Sequence, residues 1–192
     1  MIKINLFDFD ETIYDGDSTV DFFKFIFKKK PITILWLFVM LAFVILYGLR
    51  IISKTTMKQT FYKIFTFIEI NDELLNEFWD SHEKNIKKFY IDRKHNDDIV
   101  ISASPEFLLK PICKRLCVKD MMASKVDPKT GKYDGINCHD VEKVRRLNEK
   151  YNNYKVMESY SDSIRSDKPI LELAEKAYQV KKDRLILLDL KK

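Results

Sequence analysis

Asp8-Phe9-Asp10 sets two carboxylates two residues apart, directly after the run Ile2-Lys3-Ile4-Asn5-Leu6-Phe7. That run alternates as a strand does, so both acids point the same way from its C-terminal end, where open α/β sheets gather their chemistry. One carboxylate so placed can attack an electrophile while its neighbour handles a proton. A lone D-x-D is more often a solvated acidic turn, so the reading depends on partners further along. Ser102 follows the apolar run Ile99-Val100-Ile101, and Lys143 falls one turn into a helix opened by Asp140. Asp162 and Asp167 follow a further strand at Lys155-Val156-Met157.

The reaction such a set serves is phosphoryl transfer, which needs a nucleophile, a proton manager, a cation against spreading charge and donors to phosphoryl oxygens. Asp8 is expected to attack phosphorus and form an aspartyl phosphate. Asp10 would protonate the leaving alcohol and then activate water. Mg2+ is expected on the Asp8 carboxylate, the Asp10 carbonyl and Asp162, because these are hard oxygen donors with no His or Cys beside them. Ser102 would donate to a phosphoryl oxygen, and Lys143 would add its ammonium to the field of its helix N-terminus.

The elements that must position these groups are of two kinds. After a loop at Ile13 to Asp17, Ser18-Thr19-Val20-Asp21 reads as a capping box opening a helix rich in Phe. Pro31 to Leu49 then carries no charge, enough for one helix roughly 28 Å long. Met57, Phe61, Ile64, Phe65 and Ile68 recur at helical spacing among lysines, and Asn71-Asp72-Glu73 caps a helix expected to end at Lys87-Lys88. From Asp98 the pattern becomes α/β. Ser104 is expected to cap a helix with Pro105 in its first turn and Pro111 bending it. Met121 to Val126 and Asp127 to Tyr133 read as a hairpin, Asp167-Lys168-Pro169 starts a helix, and Leu185 to Leu188 is a last strand. The fold expected is α/β: a core from residues 1–16 and 91–192, interrupted after its first strand by a helical cap, residues 17–90.

The 192 residues, 46% hydrophobic and 33% charged with four glycines, exclude a low-complexity chain. The net charge of +5 comes from dispersed lysines, which argues against nucleic acid and suits a phosphorylated substrate or an anionic membrane. Cys113, Cys117 and Cys138 have neither disulfide nor zinc spacing and are expected as buried thiols in a reducing compartment. A strand bearing carboxylates at residues 1–10 is no signal peptide.

The four stretches resemble the haloacid dehalogenase (HAD) superfamily, subfamily IB, which contains phosphoserine phosphatases. Asp8-Phe9-Asp10-Glu11-Thr12 is similar to its D-x-D-x-T motif, with Glu11 where glycine is usual. Ile99 to Glu106 is similar to the second motif, with Ser102 in the phosphate-binding place. Asn137 to Val144 resembles the third, with Asp140 at a usual glycine, and Tyr160 to Pro169 the fourth, with a spacer one residue longer between Asp162 and Asp167. The resemblance implies a Rossmann-like core with a helical cap inserted after the first strand. It also implies Mg2+-dependent phosphatase activity, phosphate contacts from Thr12, Ser102 and Lys143, and metal contacts from Asp8, Asp10, Asp162 and Asp167. The apolar insertion with its Lys28-Lys29-Lys30-Pro31 entry looks like that of membrane-associated lipid phosphatases of the phosphatidylglycerophosphatase C type.

The leading expectation is a phosphomonoesterase at the cytoplasmic membrane face, peripheral or monotopic, acting on a phospholipid headgroup. Its alternatives are a soluble phosphoserine-type enzyme, with 31–49 buried in the cap, and a catalytically silent membrane-associated interaction protein. A single membrane crossing at Pro31 to Leu49 would part Asp8 and Asp10 from Ser102, Lys143 and Asp162. The segment is therefore expected to fold back, as a re-entrant hairpin or an interfacial helix, with basic flanks at both ends.

Overall fold

The computed structural model describes residues 1–190. Strand β1 (Ile2–Phe7) lies inside a six-stranded sheet of order β3-β2-β1-β4-β5-β6. The other strands are β2 (Asp98–Pro105), β3 (Asp120–Ser124), β4 (Tyr154–Ser161), β5 (Ala174–Lys181) and β6 (Arg184–Leu188). All neighbours are parallel except β5 and β6. Phe7 is in register with Val100 on one side and Tyr160 on the other, so the C-terminal ends of β1, β2 and β4 are level. The chain passes to one side of β1 for β2 and β3, then to the other for β4, which makes this edge a topological switch point.

The alternation in β1 is real burial. Ile4 and Leu6 join Ile99, Ile101 and Leu147 in a core on one face of the sheet. Phe7 faces the other side, stacked on Tyr160 at 4.4 Å, in a core shared with the helices that follow β1. Those helices are α1 (Ser18–Lys29), α2 (Trp36–Gly48), α3 (Lys54–Tyr62), α4 (Asp72–His82) and α5 (Lys88–Arg93). Trp79 of α4 donates to the Leu108 carbonyl at 2.7 Å, fastening the insertion to α6 (Glu106–Arg115). Its neck is closed where Lys87 N donates to Ile13 O at 2.8 Å and Asp15 N to Asn85 O at 2.8 Å. Helices α7 (Val141–Lys150) and α8 (Lys168–Glu172) complete the core.

Several local readings need correction. Asp17, not Ser18, caps α1, accepting from Val20 N at 2.9 Å. Residues Pro31–Leu35 form a 3-10 turn before α2, so the apolar stretch is a 13-residue helix of ~20 Å behind a tighter entry. Asn71 caps α4 as expected, but α4 stops at His82 and the Lys87-Lys88 pair opens α5 instead. Ser104 caps nothing: β2 runs on to Pro105, and the serine hydroxyl turns to Asp10. The expected hairpin after Met121 reduces to one bridge, Val126 with Tyr133, while β3 pairs in parallel with β2. Cys113 and Cys138 are buried, but Cys117 lies past the end of α6 and is exposed. The helix opened at Asp167 is short, and strand β5, unforeseen, follows it.

No side chain of helix α2 is fully buried: Trp36 and Met40 pack half-buried against the core, while Phe38 is 72% and Leu41 58% exposed. Its first residue, Trp36, donates from Nε1 to Thr60 O near the end of α3 at 3.2 Å. The pair therefore forms a hairpin whose two ends lie together.

Gly131 shows how closely the α/β part approaches that hairpin. At φ +68°, a Cβ here would overlap the Tyr62 carbonyl and lie 2.7 Å from Lys63 N. Gly131→Ala should cost about 2 kcal/mol or more, from left-handed strain plus backbone overlap. A denaturant midpoint within error of wild type would show that the loop gives way freely.

Candidate active site

The level strand ends gather most of the expected residues around one cavity of about 350 Å3. Asp8 is the first residue beyond β1, its N–H donating to Tyr160 O at 3.0 Å. Lys143, on the first turn of α7, is buried with Nζ 2.7 Å from Asp8 Oδ1 and 2.6 Å from Asp167 Oδ1. Helix α7 is fixed in turn by Arg146, which is oriented by Glu142 one turn earlier in the same helix and donates to Ala123 O of β3 and to Ile136 O. Burial alone would lower the Lys143 pKa, but Asp8 and Asp167 outweigh it and hold the ammonium charged.

Asp10 is held by different groups. Ser18 N, at the start of α1, donates to its Oδ1 at 2.7 Å, and the Ser104 hydroxyl donates to Oδ2. Thr19 Oγ1 lies 3.0 Å from that same hydroxyl. Ser102 Oγ accepts from Ser104 N at 3.1 Å, which leaves its own O–H free to donate into the cavity it lines.

Asp162 N donates to Thr12 Oγ1 at 2.8 Å, and the Thr12 hydroxyl lies 3.4 Å from Asp162 Oδ1. Thr12, expected at the phosphate, is fully buried behind Asp162 and orients it. One carboxylate oxygen each from Asp8, Asp162 and Asp167 lies within 4.8 Å of the others, an all-oxygen cluster that fits a small hard cation. Within it Asp167 is already engaged at both oxygens, by Lys143 and by Ser161 Oγ at 2.6 Å. Asp10 turns its carboxylate to Ser18 and Ser104, outside this cluster.

Sequence reasoning missed Ser104, Ser18 and Ser161, whose hydroxyls and amides hold the acids. It noted Lys54 and Lys58 only as interspersed lysines, yet they line the cavity with His139. Two positions that depart from glycine keep a glycine-like backbone, Glu11 at φ 57° and Asp140 at φ 56°. Each carries a strain of about 1–2 kcal/mol at the base of a site-bearing loop. A second cleft of about 390 Å3 opens at the other end of the sheet beside Lys3, His95 and Glu158, far from these groups.

Burial pushes Asp8 up to about 7, outweighing the relief from Lys143 with some help from Asp167, and pushes Asp10 up to about 6 with help from Asp17. Both start from 3.8, so between these values the folded state holds more protons than the unfolded chain. Stability contributed by the two groups is therefore present at low pH and falls as pH rises toward 7. In metal-free buffer, Asp8→Asn should gain melting temperature over wild type at about pH 7.5 and gain less at about pH 5. Equal differences at both would mean Asp8 is ionised throughout.

No curated protein matches the chain at a significant level. The family model for haloacid dehalogenase-like hydrolases matches residues 6–172. Among solved structures, a Bordetella pertussis Tohama I protein of unknown function superposes with TM-score 0.75 at 17% identity, over 92% of this chain and 89% of that one. A phosphoserine phosphohydrolase-like protein from Francisella tularensis gives 0.55 at 15% identity, over 92% and 86%. A HAD family hydrolase from Salmonella enterica serovar Typhi gives 0.61 at 12% identity, over 90% and 60%. These similarities establish a common fold.

Proposed function

Since this chain belongs to the haloacid dehalogenase-like hydrolase family, we propose that it is a Mg2+-dependent phosphomonoesterase acting through an aspartyl phosphate on Asp8. The observation that carries this is the pairing of Asp8 with a buried Lys143, while Asp10 stands beside it on separate supports. An Asp8 oxygen attacks phosphorus as the bond to the leaving alcohol breaks, and Asp10 gives that alcohol its proton. Asp10 then takes a proton from water, which attacks phosphorus, frees phosphate and restores the Asp8 carboxylate. A carboxyl at about 6 suits a group that must give and take a proton near neutrality. Ser102 donates to a phosphoryl oxygen, and Lys143 keeps Asp8 oriented and balances charge on the phosphoryl group. Asp8, Asp162 and the Asp10 carbonyl would hold Mg2+, with Asp167 positioning Lys143 beside them. When bound, Mg2+ neutralises charge on the phosphoryl oxygens.

The helical insertion, residues 17–90, serves in this reading as cap and membrane anchor, and the substrate is a phospholipid headgroup phosphate at the cytoplasmic face. The exposure of α2 supports it: Pro31–Gly48 is long and apolar enough to cross a membrane and only 6% buried. A helix in the cap of a soluble phosphoserine-type enzyme would bury one face. Because α2 and α3 form a hairpin with adjoining ends, α2 enters from one side and the site stays whole. Helix α2 without its 3-10 entry, at ~20 Å, is short of a hydrocarbon core of about 30 Å.

Asp8→Asn should lower turnover by about three orders of magnitude or more while the fold survives. Chelator should abolish phosphate release and Mg2+ restore it, with Ca2+ inhibiting; full activity in chelator would refute the metal-assisted mechanism. Phe38→Asp with Leu41→Asp should abolish co-sedimentation with anionic phospholipid vesicles and leave the melting temperature within a few degrees, both side chains being exposed. Undiminished vesicle binding would remove the anchor from the proposal.

A further inference from the structure

The cavity has a wall whose charge the hydrolytic mechanism leaves unused. Helix α3 turns one face to it, made of Lys54, Met57, Lys58 and Phe61 at positions i, i+3, i+4 and i+7. Among the described residues neither lysine makes an ion pair or a hydrogen bond. Asp17, Asp10 and Asp8 attract Lys58 through space, but each has a closer partner. Lys143 holds Asp8 and Asp167, Ser18 and Ser104 hold Asp10, and Asp17 caps α1. Lys143 is in turn committed to its two carboxylates and has no charge to spare for a further group of the substrate.

The two lysines stand one helical turn apart, a like-charge spacing that disfavours the helix until an anion lies between them. The strain registers on their surroundings. Burial and then Lys54 pull the Lys58 pKa down, and burial followed by Lys54 and Lys143 does the same to His139 across the cavity. Beside this charge, Met57 and Phe61 line the cavity together with Val20 and Phe23 of α1, so the same wall is apolar next to its cations.

We propose that Lys54 and Lys58 form a subsite for a second anionic group of the substrate, carried by the leaving alcohol, with Met57 and Phe61 taking the apolar part beside it. The subsite rests on the phosphomonoesterase reading and adds the class of leaving group. A phosphodiester or a carboxylate a short spacer from the reacting phosphate meets two unpaired ammonium groups. A neutral alcohol gains nothing from them.

The test compares kcat/KM on three esters. They are p-nitrophenyl phosphate, with no second anion; O-phosphoserine, with a carboxylate; and a short-chain lipid in detergent micelles bearing both a phosphodiester and a terminal phosphomonoester. The enzymes are wild type, the double variant Lys54→Gln with Lys58→Gln, and Lys58→Arg. In the double variant the kcat/KM of one doubly anionic ester, relative to p-nitrophenyl phosphate, should fall about tenfold or more, mainly through KM. Lys58→Arg should recover most of that ratio, and the ester that responds identifies whether the anion is a lipid phosphodiester or a carboxylate. An unchanged ratio for both esters overturns the subsite. If all three rates fall together, the lysines serve the reacting phosphoryl group. If none falls, they serve no ligand. Wild type that releases phosphate from none of the three esters overturns the phosphomonoesterase reading itself, and the subsite with it.

Discussion

The contact on which the rest of the structure depends is the buried ammonium of Lys143 between Asp8 and Asp167. Three segments meet there, with 135 residues separating Asp8 from Lys143. Removing the ammonium from between these acids would cost about 3–5 kcal/mol, because the buried carboxylates left behind would have no cation to pair with. The pairing thus fixes more than one side chain. It needs β1 and β4 side by side with level ends, and it needs α7 entering at one angle, which Arg146 secures through Ala123 O and Ile136 O. One ammonium also cannot balance the whole acidic cluster. Asp162 is pushed up by burial and by Asp167, so the site remains short of positive charge. That imbalance is the physical reason a divalent cation suits this centre.

The cost of assembling the site is visible in the backbone. Glu11 and Asp140 both sit at positive φ, where a side chain is disfavoured, and each begins the turn that delivers a working group. Glu11 is retained by its surroundings: its N–H donates to Gly16 O at 2.9 Å, and its carbonyl accepts from the buried Lys87 ammonium. Lys87 lies at the neck where the insertion returns, so the helical part of the chain helps to hold the turn after Asp8. Strain is tolerated where neighbouring contacts over-determine it, and both strained positions lie within a few residues of Asp8, Asp10 or Lys143.

What the sequence made legible, and what it hid, follows the range of the interactions. β1 and the carboxylates at its end were readable, because alternation over Ile2–Phe7 reports directly which face is buried. The α/β core around a helical insertion was readable for the same reason, since the hydrophobic period changes at Asp98. Ser104 was not, because Ser-Pro-Glu satisfies the local grammar of a helix cap while its hydroxyl is claimed by Asp10, 94 residues away. Thr12 was placed on the phosphate by its motif, yet its partner is Asp162, 150 residues on. Strand β5 was hidden because Ala174–Lys181 buries only Ala174, Ala177 and Val180, a spacing of three that carries no strand period. The end of α4 was obscured by Lys87-Lys88, which suit a helix C-terminus but open the next helix.

The insertion then links two properties that a sequence reading treats separately. Helix α3 is the return leg of the apolar hairpin and, on another face, a wall of the catalytic cavity. Its end is pressed against the α/β part where Gly131 meets the Tyr62 main chain, and Trp36 ties the start of α2 to the same place. A hairpin anchored at its base and apolar along α2 has only its outer surface to give to another phase. Burying a large apolar side chain in lipid is worth about 1.5–3 kcal/mol. A handful of residues as exposed as Phe38, Leu41 and Ile45 would then offset the ordering cost of docking, estimated at roughly 4–15 kcal/mol. Docking by this surface would bring Lys54 and Lys58, on the leg leading back to Asp8, close to the layer where anionic headgroups lie. The same short helix would then set both where the enzyme stands and what charge its substrate must carry.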